Sequence, residues 1–425
     1  MGKPEIRFKG YTDEWEQRKL GELVKEGILE APLDGNHGEK HPTSDEYVES
    51  GIPFLMASDI HNGEVNIYSC KYITKERAER LDKGFARNGD VLLTHKATIG
   101  ETAILSNLMT EYAMLTPQVT YYRIKNEERL NREYLYSFFN SLDFQTELKT
   151  KAAQSTRPYI GITAQQNLKI ILPTEIDEQR KIGLYFGNLD RLITLHQRKC
   201  DEVKSLKKYM LQKMFPQNEQ KVPEIRFEGF TEAWEQRKLG DLVDRVTRKN
   251  QDLVSELPLT ISAQYGLIDQ NEFFDKRVAS KDVSGYYLIE YGEFAYNKST
   301  STDAPWGAIK RLDRYENGVL STLYIVFGIK ENNPVDSDFL VSYYSTNLWH
   351  KGIHEIAAEG ARNHGLLNIA PADFFETKLM IPQDIEEQKK IGKYFEELER
   401  LITLHQRKCE ELQKIKKFML QNMFV

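Results

Sequence analysis

His196 and Cys200 lie four residues apart, and the same pair recurs as His405 and Cys409. Imidazole and thiolate at i and i+4 on two facing helices could together form a tetrahedral zinc site. A second chemically distinctive stretch, Leu148 to Thr174, carries Lys149, Lys151, Arg157 and Lys169 and no carboxylate, so its local field favours anions. The usual catalytic signatures are missing. There is no GxxxxGK[ST] phosphate loop, no GxGxxG behind a strand, no HExxH, and no Asn/Asp-Pro-Pro-aromatic tetrapeptide of the kind that holds a flipped adenine. No convincing nuclease cluster of carboxylates and lysine stands out. The pattern points to a binding or scaffold protein.

The elements that position these residues are duplicated. Residues 4–24 and 223–243 share 16 of 21 positions, and residues 176–215 and 385–424 share 27 of 40. Between these islands, segments 25–172 and 244–381 diverge. A period near 210 residues is far beyond a solenoid repeat, so the chain reads as two whole domain-plus-helix units. The expected divisions are a first variable domain at 1–173, a helix at 174–216, a linker and second variable domain at 217–382, and a second helix at 383–425.

Pro173 and Pro216 bracket the first repeated helix. Its apolar positions fall at 4,3 spacing through Ile182, Phe186, Leu189, Ile193, His196, Cys200 and Val203, and the second copy matches from Ile391 to Leu412. Matched stripes predict an antiparallel intramolecular coiled coil with a pseudo-twofold through midpoints near 195–196 and 404–405. That pairing would separate the two cysteines by about 13 Å along the axis at 1.5 Å per residue. Packing in the seam, not zinc, is therefore the expected role of the His/Cys pairs. Trp15 and Trp234 sit before a Gln-Arg-Lys-Leu-Gly stop and predict a short capped element leading into each variable domain. Strands are expected at 52–56, 90–94 and 118–122, and again at 259–262, 293–296 and 323–327. Helices are expected at 134–150 and 337–355. The fold class is α+β, with two mixed α/β domains on two long helices.

Composition narrows the alternatives. The 425 residues carry 58 Lys+Arg against 64 Asp+Glu, 11% aromatics and three cysteines. The charge balance argues against wholesale coating of nucleic acid but leaves room for a local basic groove. No apolar run approaches the roughly 18 residues of a membrane span, no secretory leader is visible, and few cysteines suit a reducing cytoplasm.

The alternation of two variable domains with two repeated helical segments resembles the specificity subunit of type I restriction-modification enzymes. The resemblance covers essentially the whole chain. It is carried by the segments around Trp15 and Trp234 and by the runs Glu178-Gln179-Arg180-Lys181-Ile182 and Glu387-Gln388-Lys389-Lys390-Ile391. Short patterns such as Gly51-Ile52-Pro53-Phe54 and Ala97-Thr98-Ile99-Gly100 agree, whereas the second domain lacks the latter after Asn297-Lys298. The resemblance implies that each variable domain reads half of a split, asymmetric double-stranded DNA site. It further implies that the helices set the gap and dock two methyltransferase subunits, and that up to two motor-nuclease subunits can join. S-adenosylmethionine, ATP and Mg²⁺ would then sit on those partners, and this chain would be a non-catalytic, cytoplasmic subunit. A duplicated adaptor that binds proteins is the alternative, and a self-sufficient nuclease or methyltransferase a third reading.

On that resemblance, candidate DNA contacts in the first domain are Lys96 and Thr98 after a strand, Ser155, Thr156, Arg157 and Tyr159 after a helix, and Asn36 and Lys40 in a polar loop. In the second domain they are Asn297, Lys298, Ser299 and Thr300, then Arg362, Asn363 and His364, and Gln264 and Tyr265. Arg157 and Arg362 are the expected base readers, because a guanidinium can bind guanine O6 and N7 bidentately, with a phosphate clamp as the equal alternative for either.

Overall fold

The computed structural model describes residues 4–153, 158–217, 220–262, 265–276, 278–302, 304–331, 335–357, 362–363 and 365–424. The chain divides into two units, one of residues 1–198 with 406–425 and one of residues 199–405. Two 38-residue helices, Ile176–Lys213 and Ile385–Asn422, are each divided between the two units. Among the described residues, no helix is long and apolar enough to cross a membrane.

Both units are assembled to one plan. In the first, an antiparallel sheet has the strand order Leu33–Asp34, Val119–Tyr122, Val91–Lys96, Thr98–Ile104. In the second, the order Val243–Val246, Ile325–Ile329, Phe294–Asn297, Ala308–Arg311 repeats it. The units differ in their remaining strands. The first has a four-stranded mixed sheet around Ile52–Leu55 and Ala113–Leu115. The second has two separate ladders, Leu259–Ser262 with Gly266–Asp269 and Tyr287–Glu290 with Asn317–Leu320.

Two local expectations need correction. The single helices expected at 134–150 and 337–355 are each two. Arg132–Phe139 stops at Asn140, and Ser141 restarts the chain by capping Leu142–Ala152 through its Oγ. Ser337–Tyr344 and Trp349–Ile356 are likewise separated by a polar Ser-Thr-Asn stretch. Short polar side chains that bond the nearby backbone override an apolar period that runs straight through them. The Gln-Arg-Lys segments are strands. Glu16–Lys19 pairs antiparallel with Lys169–Leu172, and Glu235–Lys238 with Lys378–Ile381.

The repeated motifs now have physical roles. Glu178 is 1% exposed and accepts two hydrogen bonds from Arg7, at 2.6 and 2.8 Å. Glu387 accepts the same pair from Arg226, at 2.7 and 2.8 Å. The hydrogen bond and charge of Glu178 hold the Arg7 guanidinium above its ordinary pKa. The neighbouring Gln179 carbonyl accepts from the Asn131 amide, and its own amide donates to the Arg129 and Pro173 carbonyls. Gln388 does the same toward Asp336 and Pro382. So the Glu ties each long helix to the segment before the variable domain, and the Gln ties it to the variable domain itself.

Gly183 and Gly392 let the helix approach closely. A Cβ on Gly183 would stand 2.7 Å from the Tyr134 amide nitrogen, and one on Gly392 2.7 Å from that of Phe339. Gly183→Ala should therefore cost about 1–3 kcal/mol through overpacking. Gly187→Ala, on the same helix with open space at its Cβ, should gain up to about 1 kcal/mol from helix propensity. Urea denaturation of the two variants checks the pair, and equal effects would count against the close approach.

The helix halves pack antiparallel within each unit, but in a different register from the expected one. Asp190 pairs with Lys416, Lys207 pairs with Glu399, and the Cys409 thiol lies 3.8 Å from Gln197 Oε1. The numbers of each pair total 606, where midpoints at 195–196 and 404–405 would give 600, a slip of three residues on each helix. The aromatic tails account for it. Phe424 stacks on Phe186 at 5.6 Å and meets Trp15 at 6.4 Å. Phe215 meets Phe395 and Trp234, both at 5.9 Å. Burying these rings against Phe186 and Phe395 stops each C-terminal end about six residues short of the place on its partner that the midpoint rule gives. Cys200 and Cys409 are buried in different units, each beside atoms of the opposite helix.

Candidate nucleic-acid interface

In the first unit, strands Val91–Lys96 and Thr98–Ile104 are joined through Ala97, whose φ of 68° lies in the left-handed region. A single residue must reverse the chain there, which leaves Lys96 and Thr98 exposed at the sheet's end. The chain that leaves helix Leu142–Ala152 returns to this point. Lys96 bridges Tyr159, the Ile160 amide donates to the His95 carbonyl at 3.2 Å, and His95 Nδ1 donates to the Ile160 carbonyl at 3.0 Å. Tyr159 remains 38% exposed beside the His95 ring. Lys96, Thr98 and Tyr159 thus come together. Ser155, Thr156 and Arg157 lie outside the described residues.

Asn36 lies inside its loop and not at the exposed surface expected of it. It is buried, its amide donates to the Lys83 carbonyl at 2.8 Å, and its Oδ1 accepts from the Asp82 amide at 3.2 Å. Its burial and these two bonds commit the side chain to bracing the loop. Lys40 is exposed and ion-paired with Asp82. Beneath this loop Asp34 is buried and holds Lys83 and His37, the latter at 2.8 Å. Burial pushes the Asp34 carboxyl up, but the hydrogen bonds from Lys83 and His37 outweigh it and leave the pKa below the usual range.

The second unit makes the equivalent junction. Counted from Gly89 and Gly292, Lys298 matches His95 and Ser299 matches Lys96. Ser299 bridges Leu366, the Leu367 amide donates to the Lys298 carbonyl at 3.0 Å, and the Thr300 amide and hydroxyl both donate to the Gly365 carbonyl, at 2.7 and 3.0 Å. Burial lowers the pKa of the Lys298 amine. Asn297 Oδ1 accepts from the Ser299 amide at 3.0 Å. Arg362–Asn363 forms a short hairpin with Leu366–Leu367, so its backbone is brought to the same loop. His364 and Gln264 lie outside the described residues. Tyr265 is half-exposed, with the Arg314 guanidinium 5.8 Å from its ring.

Asp34 and Lys83 were not among the expected contacts, and His95, inside the expected loop, turns into the core. The signal available for His95 was its count from Gly89, which sets it opposite Lys298.

Residues 12–205 and 231–414 match the family profile described as the type I restriction modification DNA specificity domain. The chain belongs to that family, with two specificity domains. A putative type I restriction enzyme MjaX specificity subunit of Methanocaldococcus jannaschii is 22% identical over 95% of this chain and 91% of its own length. The MjaVIII specificity subunit of the same organism is 23% identical over 47% of this chain and 45% of its own, so this match spans about half of each. The type I restriction-modification S subunit of M. genitalium superposes with a TM-score of 0.65 over 100% of this chain and 99% of that one, at 13% identity. That likeness extends the fold over both specificity domains and both long helices.

Proposed function

We propose that this specificity subunit reads a two-part, asymmetric site on duplex DNA, one half per specificity domain. The observation that carries the reading is the junction built twice, once on the four-stranded antiparallel sheet of each unit. Equivalent loops meet at 95–98 with 159–160 and at 298–300 with 365–367, presenting different side chains. One frame with two chemistries suits two different half-sites. Lys96, Thr98 and Tyr159 contact the first half. Asn297 to Thr300, with Arg362 and Asn363, contact the second. Lysines neutralise phosphates and set register, while side chains with fixed donors and acceptors at base edges carry sequence.

The long helices hold the enzymatic partners. Leu192 and Leu401, Leu195 and Leu404, Leu206 and Ile415, and Tyr209 and Phe418 are equivalent pairs, exposed in both copies. An apolar stripe kept in water twice over supports docking of two copies of one partner. On this reading that partner is the methyltransferase, which brings S-adenosylmethionine. Motor-nuclease subunits add ATP and Mg²⁺, and this chain performs no bond-making step.

Replacing segment 244–381 with that of another family member should change one half of the methylated site and leave the other intact, read by methylome sequencing. A change in both halves overturns the modular reading. Duplex affinity of the chain should fall by roughly a thousandfold between 50 and 200 mM salt if about six phosphates are contacted. A protein-binding adaptor would show no duplex affinity at any salt.

A further inference from the structure

Both junctions are stitched by backbone; among the described residues, the first adds the buried His95 side chain to the stitch and the second the half-buried Thr300 hydroxyl. His95 is fully buried. Its Nδ1–H donates to the carbonyl of Ile160, the residue whose amide donates back to His95. Its ring packs 5.6 Å from that of Tyr159, the exposed aromatic at the lip of the loop. Its other nitrogen, Nε2, has no hydrogen-bond partner and faces the Asp34 carboxylate at 4.0 Å. With Nδ1 carrying the proton, Nε2 is a lone pair aimed at an acceptor, an arrangement that costs free energy and buys nothing for the core. An apolar residue would fill the space at lower cost. What the imidazole supplies instead is a directed donor that fixes the chain at Ile160 relative to Lys96, and a ring that meets that of Tyr159 at a tilt of 46°.

We propose that His95 is a positioning residue that locks Tyr159 and Lys96 into one orientation, and so sets which bases the first specificity domain accepts. The inference rests on the DNA-reading function above. It assigns His95 no contact with DNA. The second domain places Lys298 at the equivalent point and uses the Thr300 hydroxyl on Gly365 for the extra bond, so the two domains fix their loops with different chemistry.

The test uses the full chain bound to randomised duplexes, with bound sequences counted for wild type, His95→Ala, His95→Asn and His95→Gln. Asn keeps an amide donor near the place of Nδ1; Gln moves it away. In His95→Ala and His95→Gln the ratio between preferred and rejected bases should fall about tenfold or more in one half-site, with the other half unchanged. His95→Asn should recover most of the ratio. Mere loss of stability would lower binding to every base in that half alike and leave the ratios standing. Unflattened ratios in Ala and Gln, or Asn failing as badly as Gln, would overturn the role of His95. If His95→Ala does not fold, the contrast of Asn with Gln decides alone. A wild-type chain that selects no sequence would overturn the underlying DNA reading, and this proposal with it.

Discussion

Arg7→Ala should destabilise the first unit by about 3–5 kcal/mol, the cost of leaving a buried carboxylate without its partner. Glu178 is 1% exposed, and the Arg7 guanidinium is its bidentate partner from 171 residues away. The equivalent Arg226→Ala should cost the second unit less. There Trp234 Nε1 still donates to Glu387 at 3.4 Å, whereas Trp15 Nε1 has no hydrogen-bond partner. For a unit of about 200 residues, each kcal/mol moves Tm by roughly 2–4 °C, so the first variant should melt some 6–20 °C lower. Differential scanning calorimetry checks both variants. A loss under about 1 kcal/mol for Arg7→Ala would mean that the pair is not the tie between the repeated segments. Arg7→Lys should recover only part of the loss, because an ammonium cannot occupy both carboxylate oxygens in the same plane.

The second large effect is acid sensitivity through His95. Burial pushes its pKa from 6.5 down to about 4. The Asp34 carboxylate and the Ile160 carbonyl resist that shift, while His37 and Lys96 add to it. In the unfolded chain the imidazole takes up a proton as pH falls through about 6.5. The folded chain cannot follow until about pH 4. Stability from this group is therefore complete above pH 6.5 and declines as pH drops toward 4, by about 3 kcal/mol in total. His95→Gln should remove that slope. The measurement is urea stability of wild type and variant from pH 7 to 4, followed by hydrogen exchange in peptides of the first unit. Taking the difference cancels the carboxylates common to both. A difference that stays flat over this range would show that His95 is not held neutral by burial.

The duplication and the long helices were legible because each is encoded locally. An offset of 209 residues repeats Arg191 to Cys200 unchanged, and apolar side chains three and four apart declare a helix face without reference to anything distant. The family resemblance rests on the same short runs. The candidate loops were partly legible for a similar reason. A strand ending in a polar turn exposes its tip, as Lys96 and Thr98 do.

What only the tertiary structure decided is who meets whom. Glu178 has the composition of a solvated helix residue and is an interior ion-pair partner. Asn36 has the composition of a flexible loop and is a buried brace. The bracing role of His95 became visible only when Ile160 arrived beside it, and the helix register shifted because Phe215 and Phe424 had rings to bury. Short-range preference falls off within a turn or two of chain, whereas burial and charge pairing depend on distance in space. No count of residues along the chain could place Arg7 against Glu178 or His95 under Tyr159.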